Sequence, residues 1–415
     1  MSVKAINPKM PEKTGSPMAM AAMLHDADAH QRPTGDTSRI ARVDVIRDMA
    51  EAEHRWRAFD GPDFLFTPYQ RFEFLNAWQQ TIGSHEGADP FIVIATDADN
   101  RPLVLLPLAI GRENGAKVAR FMGGKHPTFN MALWRREFAE TITGTELDGL
   151  IAAIRRQPNG PDVLAFTQQP QRWRNIANPL AKLSGQPSTN QCPLLIMAPG
   201  CKPEDRVSVS TRRRLRNKER KLQSLPGYRY FVAETDADIN RLLDAFFIIK
   251  PQRMALSKLP DVFSDEATKK FVRDACMATL PNGTRAIELH AIECDSEMIS
   301  IFATVADGER FSTMFNTYTI SDNARYSPGL ILLRYMIDHF GERGYSSADF
   351  GVGSDVYKLT FCKHDEPMVD TFIPLTARGK FAALGMSSLT HAKRLVKQNP
   401  ALMQMAQMLR NAISR

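Results

Sequence analysis

The second half of the chain is dominated by consecutive strands separated by short polar turns. Strand-like segments lie at 284–294, 298–306 and 310–318, and an apolar helix-like stretch at 330–340 leads to a fourth strand at 348–351. Strands joined by tight turns pair antiparallel, whereas a strand that returns after a helix pairs in parallel. This order predicts a mainly antiparallel sheet with one parallel pair, and a gap at that pair that can hold a ligand.

The remaining segments extend this pattern over most of the chain. The second half also has a strand at 228–234, helices at 236–249, 264–280 and 354–362, and a last strand at 368–374. The first half, 40–198, is similar but less clear, with helices at 49–59, 68–81 and 143–155 and strands at 91–96, 103–110, 163–166 and 192–197. We therefore expect an α/β (α+β) protein in which mixed, mainly antiparallel sheets are flanked by helices.

The length of 415 residues exceeds one ordinary hydrophobic core and favours two or three domains. The expected order is a disordered leader at 1–38, an N-terminal domain at 39–200, a basic linker helix at 201–227, a C-terminal domain at 228–380 and an amphipathic helical tail at 381–415.

Most of the positive charge is confined to two short segments. The formal net charge is +7, but residues 212–222 alone carry +6 and residues 381–415 carry +5, so the rest of the chain is mildly acidic at −4. This distribution does not favour a protein that binds specific DNA.

The basic segment that begins at Arg212 and ends at Lys221 is expected to be helical, with Leu215 and Leu222 on one face. It is either a solvated linker or a binding site for an anionic ligand such as phosphate groups, tRNA, acidic glycan or anionic lipid. The tail carries an apolar stripe for which docking on the body is favoured over membrane contact. Its members are Leu402, Met405, Leu409 and Ile413.

Several classes of protein are disfavoured by what the sequence lacks. The five cysteines have no CxxC spacing, which argues against a disulfide framework or a zinc ribbon and indicates a reducing compartment. No apolar run approaches the roughly 18 residues of a transmembrane helix. HExxH, GxSxG and GxxxxGK[ST] motifs are missing. We expect a cytoplasmic protein that needs no metal.

Two stretches of the second half resemble a known family. They read ARYSPGLILLRYMID at 324–338 and ADFGVGSDVYKLTFCKH at 348–364. The matching positions are Tyr326, Ser327, Pro328, Gly329, Asp349, Phe350, Gly353, Tyr357, Lys358 and Phe361. Together with the order of elements, they resemble the GNAT acetyltransferase superfamily, in particular its CelD-like, FemAB-related branch with two tandem GNAT-like acyl-CoA N-acyltransferase folds.

The resemblance assigns a cosubstrate to the helix that begins near Ser327. The first amides of a helix lack partners within it and attract anions. In the family the equivalent loop holds the pyrophosphate of acyl-CoA, commonly acetyl-CoA, which implies this role for Arg325, Tyr326, Ser327, Pro328, Gly329 and Leu330. The alternative is a simple helix start, with Ser327 as N-cap and Pro328 at the first helical position.

The resemblance also implies catalytic roles. Tyr357 lies where the family commonly keeps a general acid, and Lys358 matches a lysine near the acyl donor. Asp349 ends a strand at the same gap and is the candidate base or amine-orienting group. Its alternative role is that of a helix cap or of an ion-pair partner for Lys358 or Arg325.

Two further positions face the expected gap. Asn316 and Tyr318 alternate with Thr317 along a strand, so they share one face and are candidate substrate-binding residues. His126, in the Gly-rich loop of the first half, either lines a shared cleft or is structural, and a lone histidine favours the structural role.

Our hypothesis is an acyltransferase that moves an acyl group, expected to be acetyl, from acyl-CoA to an amine or hydroxyl of a small-molecule or saccharide acceptor. The resemblance implies a cell-envelope or exopolysaccharide precursor of the cellulose type. A FemAB-like transferase that uses aminoacyl-tRNA is the enzymatic alternative. A non-catalytic GNAT scaffold in polysaccharide synthesis is the third.

Overall fold

The computed structural model describes residues 38–399 with the exception of residues 199, 354 and 356. The described residues belong to a single compact unit. All but the last residue of the predicted leader lie outside the described part of the chain, and so does the stripe predicted for the tail at Leu402, Met405, Leu409 and Ile413.

The strands follow the predicted order closely in the second half and are more numerous than predicted in the first. They are β1 (Arg42–Ile46), β2 (Phe64–Leu65), β3 (Asp89–Thr96), β4 (Pro102–Glu113), β5 (Ala116–Phe121), β6 (Leu133–Arg135), β7 (Val163–Pro170), β8 (Arg172–Trp173), β9 (Ile176–Ala177), β10 (Gln186–Pro187), β11 (Pro193–Ile196), β12 (Arg229–Val232), β13 (Glu288–Cys294), β14 (Glu297–Ala306), β15 (Arg310–Tyr318), β16 (Ser347–Asp349), β17 (His364–Asp365) and β18 (Met368–Pro374).

The α-helices are α1 (Met49–Arg57), α2 (Phe72–Trp78), α3 (Arg136–Thr141), α4 (Gly144–Arg155), α5 (Pro203–Arg206), α6 (Val209–Gln223), α7 (Asp236–Leu256), α8 (Glu266–Met277), α9 (Pro328–Glu342) and α10 (Ala377–Gln398). Short 3-10 turns lie at Pro68–Gln70, Pro179–Lys182, Asp322–Tyr326 and Lys358–Thr360, and a π turn lies at Gln79–Gly83.

Three helices differ from the sequence-based expectation. The helix expected at 68–81 is divided into a 3-10 turn, α2 and a π turn. The helix expected at 236–249 continues through Pro251 to Leu256, although proline has no N–H to donate within the helix. Of the helix expected at 354–362, the described residues form only the 3-10 turn at Lys358–Thr360.

The strands of the described residues form two large sheets and one two-stranded hairpin. Neighbours in the first sheet are β1, β3, β4, β5, β7, β18 and β10, with β2 and β6 at its side. Neighbours in the second are β12, β13, β14, β15, β16, β11 and β17. Each sheet contains one parallel pair, β5 with β7 and β15 with β16. The predicted parallel pair is therefore confirmed, and the first half has a counterpart.

The two halves exchange strands. β11 precedes α6 in the chain but joins the second sheet, where Leu194 pairs with Asp349 of β16. β18 comes from the end of the chain but joins the first sheet, where Thr371 pairs with Phe166 of β7. Sheet membership thus departs from the expected boundaries at 200 and 228, because a local pattern specifies a strand but not the edge that it joins.

A continuous hydrophobic core connects the halves. The rings of Phe74 in α2 and Phe271 in α8 meet edge to face with centroids 5.4 Å apart. The indole Nε1 of Trp173 donates to Asp307, in the turn between β14 and β15, at 3.0 Å. Shared packing and exchanged strands predict that the two halves unfold together.

A core substitution in the second half should therefore destabilise the first. Phe340 is fully buried and stacks on Phe311 at 4.3 Å between centroids, so Phe340→Ala should cost about 3–5 kcal/mol. All four tryptophans precede residue 174 and report on the first half. The midpoint of denaturant unfolding should fall by the same amount when it is measured by tryptophan fluorescence and by far-UV circular dichroism. An unchanged fluorescence transition would contradict this, and the exposed Lys380→Ala is the control.

Candidate active site

β15 is longer than the strand that pairs with it in parallel. The two strands pair over three residues each, ending with Ser312 opposite Asp349. β16 ends there, whereas β15 continues to Tyr318. Gly351, at φ 73°, adopts a backbone conformation suited to glycine just after β16. Within the described residues no strand pairs with 313–318 on this side, and we call 313–318 the open edge.

Three of the predicted residues meet at the open edge. Asn316 and Tyr318 are half-buried while Thr317 between them is buried, so they share a face as predicted. The Asn316 side chain interacts with the Tyr357 hydroxyl, and burial raises the pKa of Tyr357 well above its ordinary value. A Cβ placed on Gly329 would lie 3.5 Å from Cδ1 of Tyr318. The start of α9 therefore borders the open edge.

Two cations of α7 also reach the open edge and were missed by the sequence analysis. Lys250 Nζ donates to the carbonyl oxygen of Asn316 at 3.0 Å. The guanidinium of Arg253 lies 3.1 Å from the ring centroid of Tyr318. Burial lowers the pKa of Lys250, and Arg253 acts in the same direction. Cations near a helix C-terminus are common, so their spacing carried no signal of this role.

Asp349 lies below the open edge and is fully buried. Its carboxylate accepts hydrogen bonds from Ser312 Oγ at 2.5 Å and from the Gly351 amide at 3.2 Å. Burial raises the pKa of Asp349 to about 6, although the nearby Arg310 opposes the shift. None of the described hydrogen bonds or ion pairs joins Asp349 to Lys358 or Arg325. Its surroundings are therefore those of a buried acid that titrates close to neutrality.

Lys358 is directed into the backbone. Its ammonium donates to the carbonyl oxygens of Gly351, Val352 and Gly353 at 2.9–3.2 Å. It also lies 3.4 Å from the Asp355 carboxylate. All three N–H donors of the ammonium have acceptors here, and its side chain is buried. This arrangement holds the loop that follows β16.

The start of α9 is not capped by its own side chain. Ser327 adopts the left-handed conformation, with φ 57° and ψ 52°, and makes no side-chain cap bond. Its Oγ instead accepts from Lys218 Nζ of α6 at 2.7 Å, and the first turn contains no acid. Arg325 is exposed and donates to the Tyr326 hydroxyl at 3.0 Å. Ser327 thus occupies the N-cap position without acting as a cap, and its hydroxyl contacts the Lys218 ammonium.

The equivalent helix of the first half has the opposite character. α4 precedes β7, the parallel partner of β5, as α9 precedes β16. Its N-cap Thr143 forms a capping box with Glu146. The Glu146 carboxylate pairs with Arg39 at 2.7 Å, and this contact holds its pKa down at about 2. A carboxylate of the protein already occupies the site where an anion would bind.

α6 is helical as predicted but it is not a free linker. Leu215 and Leu222, which were predicted to share one face, are both buried. Arg212 pairs with Asp338 of α9 through two hydrogen bonds of 2.8 and 2.5 Å, and the buried Glu219 pairs with Arg334 at 2.8 Å. The outward cations form no ion pair with a described carboxylate. They are the exposed residues Arg213, Arg214, Arg216, Arg220 and Lys221.

His126 contacts α8 of the second half. Its ring packs against Phe271 of α8 with centroids 4.8 Å apart, and burial lowers its pKa to about 4. Among residues 38–399 there is no group of three or more His, Cys, Asp or Glu placed to hold a metal ion. In the same part of the chain no helix is both long and apolar enough to cross a membrane.

Part of the chain matches a known family of protein domains. Residues 209–359 match the family model of the acetyltransferase (GNAT) domain. This match covers α6, the open edge and Tyr357. No curated protein sequence matches the chain significantly.

Solved structures show the same fold at low identity. The chain is similar to FemX, with a TM-score of 0.54 and 7% identity over 82% of this chain and 100% of that one. It is also similar to a conserved protein of unknown function from Bacteroides thetaiotaomicron, with a TM-score of 0.50 and 9% identity over 80% and 100%. The predicted α/β (α+β) fold of mainly antiparallel sheets flanked by helices is confirmed.

The buried carboxyl of Asp349 should make stability depend on pH. Its pKa of about 6 exceeds the value of about 3.9 in an unfolded chain, so the folded state holds this proton more tightly. The resulting penalty on folding is absent below about pH 3.9, grows between about pH 4 and pH 6, and stays constant at higher pH. Two pKa units correspond to about 3 kcal/mol. We expect Asp349→Asn to be more stable than the parent chain by up to about 3 kcal/mol near pH 8, and equally stable near pH 4.

Denaturant unfolding at the two pH values measures this difference. The exposed Asp365→Asn is the matched control and should change stability at neither pH. A difference for Asp349→Asn that is the same at both pH values would disprove the linkage.

Proposed function

We propose that the protein is an acyltransferase that uses acyl-CoA, with its donor site at the start of α9 and along the open edge. The observation that carries this proposal is the uncapped start of α9, where Ser327 accepts from Lys218 beside the open edge. The match of residues 209–359 to the GNAT domain supports the same activity.

The donor would be held by complementary charge. Acyl-CoA supplies an acyl thioester together with several phosphate groups. Pro328 has no N–H, and the Leu330 and Ile331 amides donate to the Ser327 carbonyl. The Gly329 amide and the ammonium of Lys218 are therefore the donors that suit a phosphate, because both donate hydrogen bonds and carry positive character. Arg325 and the outward cations of α6 strengthen the local potential. The capping carboxylate of α4 makes the first half unsuited to the same role.

The proton-holding group of the proposed site is Tyr357. A phenol with an ordinary pKa near ~10 is protonated at neutral pH. Burial of Tyr357 raises this pKa further, whereas the hydrogen bond with the Asn316 side chain opposes the rise. A protonated phenol beside the open edge is suited to act as a general acid. Tyr318 and Asn316 would contact the substrates from the face of β15.

Asp349 and Lys358 have different proposed roles. Lys358 holds the carbonyls of residues 351–353 and so positions the loop that leads to Tyr357. Asp349 is buried beneath it and fixes Ser312 and Gly351. We therefore propose that both residues position the loop that follows β16. Because Asp349 is fully buried, it would accept a proton only from a group that itself reaches into the core.

The identity of the acyl group and of the acceptor forms a finer part of the proposal. We propose an acetyl group as the transferred group and an amine or hydroxyl of a cell-envelope or exopolysaccharide precursor as the acceptor. Only the resemblance to the CelD-like branch supports this choice. The enzymatic alternative, transfer from aminoacyl-tRNA, is favoured by the five exposed cations of α6, which suit a phosphate backbone.

Donor binding should depend on Lys218. Loss of a charged hydrogen bond to a phosphate costs about 1.5–3 kcal/mol, so Lys218→Ala should weaken acetyl-CoA binding at least tenfold in titration calorimetry. The exposed Lys270→Ala of α8 is the matched control. Heat from charged tRNA but none from acetyl-CoA would instead support the aminoacyl alternative.

Catalysis should depend on the Tyr357 hydroxyl. Tyr357→Phe should slow thiol release by about 10²–10⁴-fold if the phenol is a general acid, while the affinity for acetyl-CoA stays the same. Tyr326→Phe, which also loses one hydroxyl next to the site, should keep its rate. If Tyr357→Phe and Asp349→Asn both preserve function in cells while fold-disrupting changes abolish it, the protein is a non-catalytic scaffold.

A further inference from the structure

Only one side of α10 packs on the rest of the protein. Ala383 lies in a small buried cluster with Val118 of β5 and Val163 of β7. Along the same side, Gln186 Nε2 donates to the Ser387 carbonyl at 3.0 Å, and Lys397 Nζ donates to Asn190 at 2.5 Å. The helix is therefore attached along most of its length.

The outward side of α10 is apolar. Phe381 is 80% exposed, Leu384 66%, Leu389 55% and Leu395 50%. Phe381, Leu384 and Leu395 recur at helical spacing with the small residues Ser388 and Ala392 between them, so they form one stripe. Phe381 and Leu389 also line a groove of about 610 Å³ between α10 and the body, together with Phe372, Met386 and Glu113, among other residues. Large apolar side chains grouped in this way mark an interaction surface.

Positive charge flanks this stripe on both sides. α10 contains five cations and no acid. They are Arg378, Lys380, Lys393, Arg394 and Lys397. In the described part of the chain none of them forms an ion pair with a carboxylate; Arg378 and Lys397, for example, bond to a carbonyl and an amide. The sequence continues without any acid to residue 415.

We propose that α10 binds the surface of an anionic lipid bilayer, with Phe381, Leu384 and Leu395 entering the interface and the exposed Lys380 and Lys393 contacting headgroups. An exposed apolar stripe bordered by lysine and arginine is the pattern of an interfacial helix. This surface is separate from the proposed donor site, and the inference does not depend on it.

The positive charge of α10 favours an anionic lipid surface over a second copy of the chain as the partner of this face. A second copy docked through the same face would bring two acid-free, fivefold positive helices together, and like charges in contact repel. The remaining chain beyond residue 399 also carries only positive charge, with Arg410 and Arg415. An anionic surface neutralises the cations while it takes up the apolar side chains.

Vesicle flotation with the full chain tests the proposal. Vesicles of phosphatidylcholine with phosphatidylglycerol should carry the protein upward, and vesicles of phosphatidylcholine alone should not. The triple variant Phe381→Ser, Leu384→Ser and Leu395→Ser should lose at least tenfold in binding. Because these residues are exposed, its circular dichroism and its acetyl-CoA binding should match those of the parent chain.

Two matched controls keep the test specific. Leu256→Ser, Leu259→Ser and Val262→Ser remove three other exposed apolar side chains and should leave flotation unchanged. Arg213→Gln, Arg216→Gln and Arg220→Gln neutralise the outward side of α6 and should retain the dependence on the α10 stripe. Flotation of the stripe variant equal to the parent would overturn the proposal, and so would loss confined to the α6 variant.

Self-association is the remaining outcome. Sedimentation equilibrium of the parent chain and of the stripe variant should give the same mass in the absence of vesicles. If the parent is a dimer that the stripe substitutions dissociate, and if neither floats, the face is an interface between copies and the lipid proposal is wrong.

Discussion

The short parallel pairing of β15 with β16 is the constraint on which the candidate site depends. Because β16 ends opposite Ser312, the last six residues of β15 keep one side free of any described strand. One backbone group of this segment, the Asn316 carbonyl, accepts a hydrogen bond from Lys250. Backbone groups that neither a sheet nor a side chain uses are available to a ligand. The same ending places Asp349 in the core, Gly351 at the turn and Lys358 among backbone carbonyls. One strand end therefore organises the open edge, the loop beside it and the buried acid below it.

The charged residues of α6 have different roles on the two sides of the helix. In α6, Arg212 and Glu219 turn inward and pair with α9, whereas five neighbouring cations remain exposed. These inward pairs attach α6 to α9. Lys218 of α6 also donates a hydrogen bond to Ser327 at the start of α9. Buried pairs of this kind fix geometry more than they add stability. A segment that reads as a uniform basic run thus has a structural side and a side available to anions.

The sequence predicted those parts of the molecule that local patterns encode. Turn residues and alternation identified the meander 284–318, and the helix after it implied the parallel pair. Alternation also placed Asn316 and Tyr318 on one face. It could not show that Lys358 bonds carbonyls of its own loop or that Lys250 reaches Asn316, because such contacts depend on side-chain direction across elements. The exchange of β11 and β18 was equally inaccessible, since either strand fits several edges by its own pattern.

The strand exchange also imposes an order on synthesis. When the first half leaves the ribosome, β7 is present but its neighbour β18 lies about two hundred residues further along the chain. Until residue 374 emerges, the first sheet has an unpaired edge at β7, and such edges invite association with other chains. β11 likewise has no partner strand until β16 has been synthesised. The nascent protein therefore completes both sheets only near the end of translation, with β10 and β18 closing the first after the second has formed its meander.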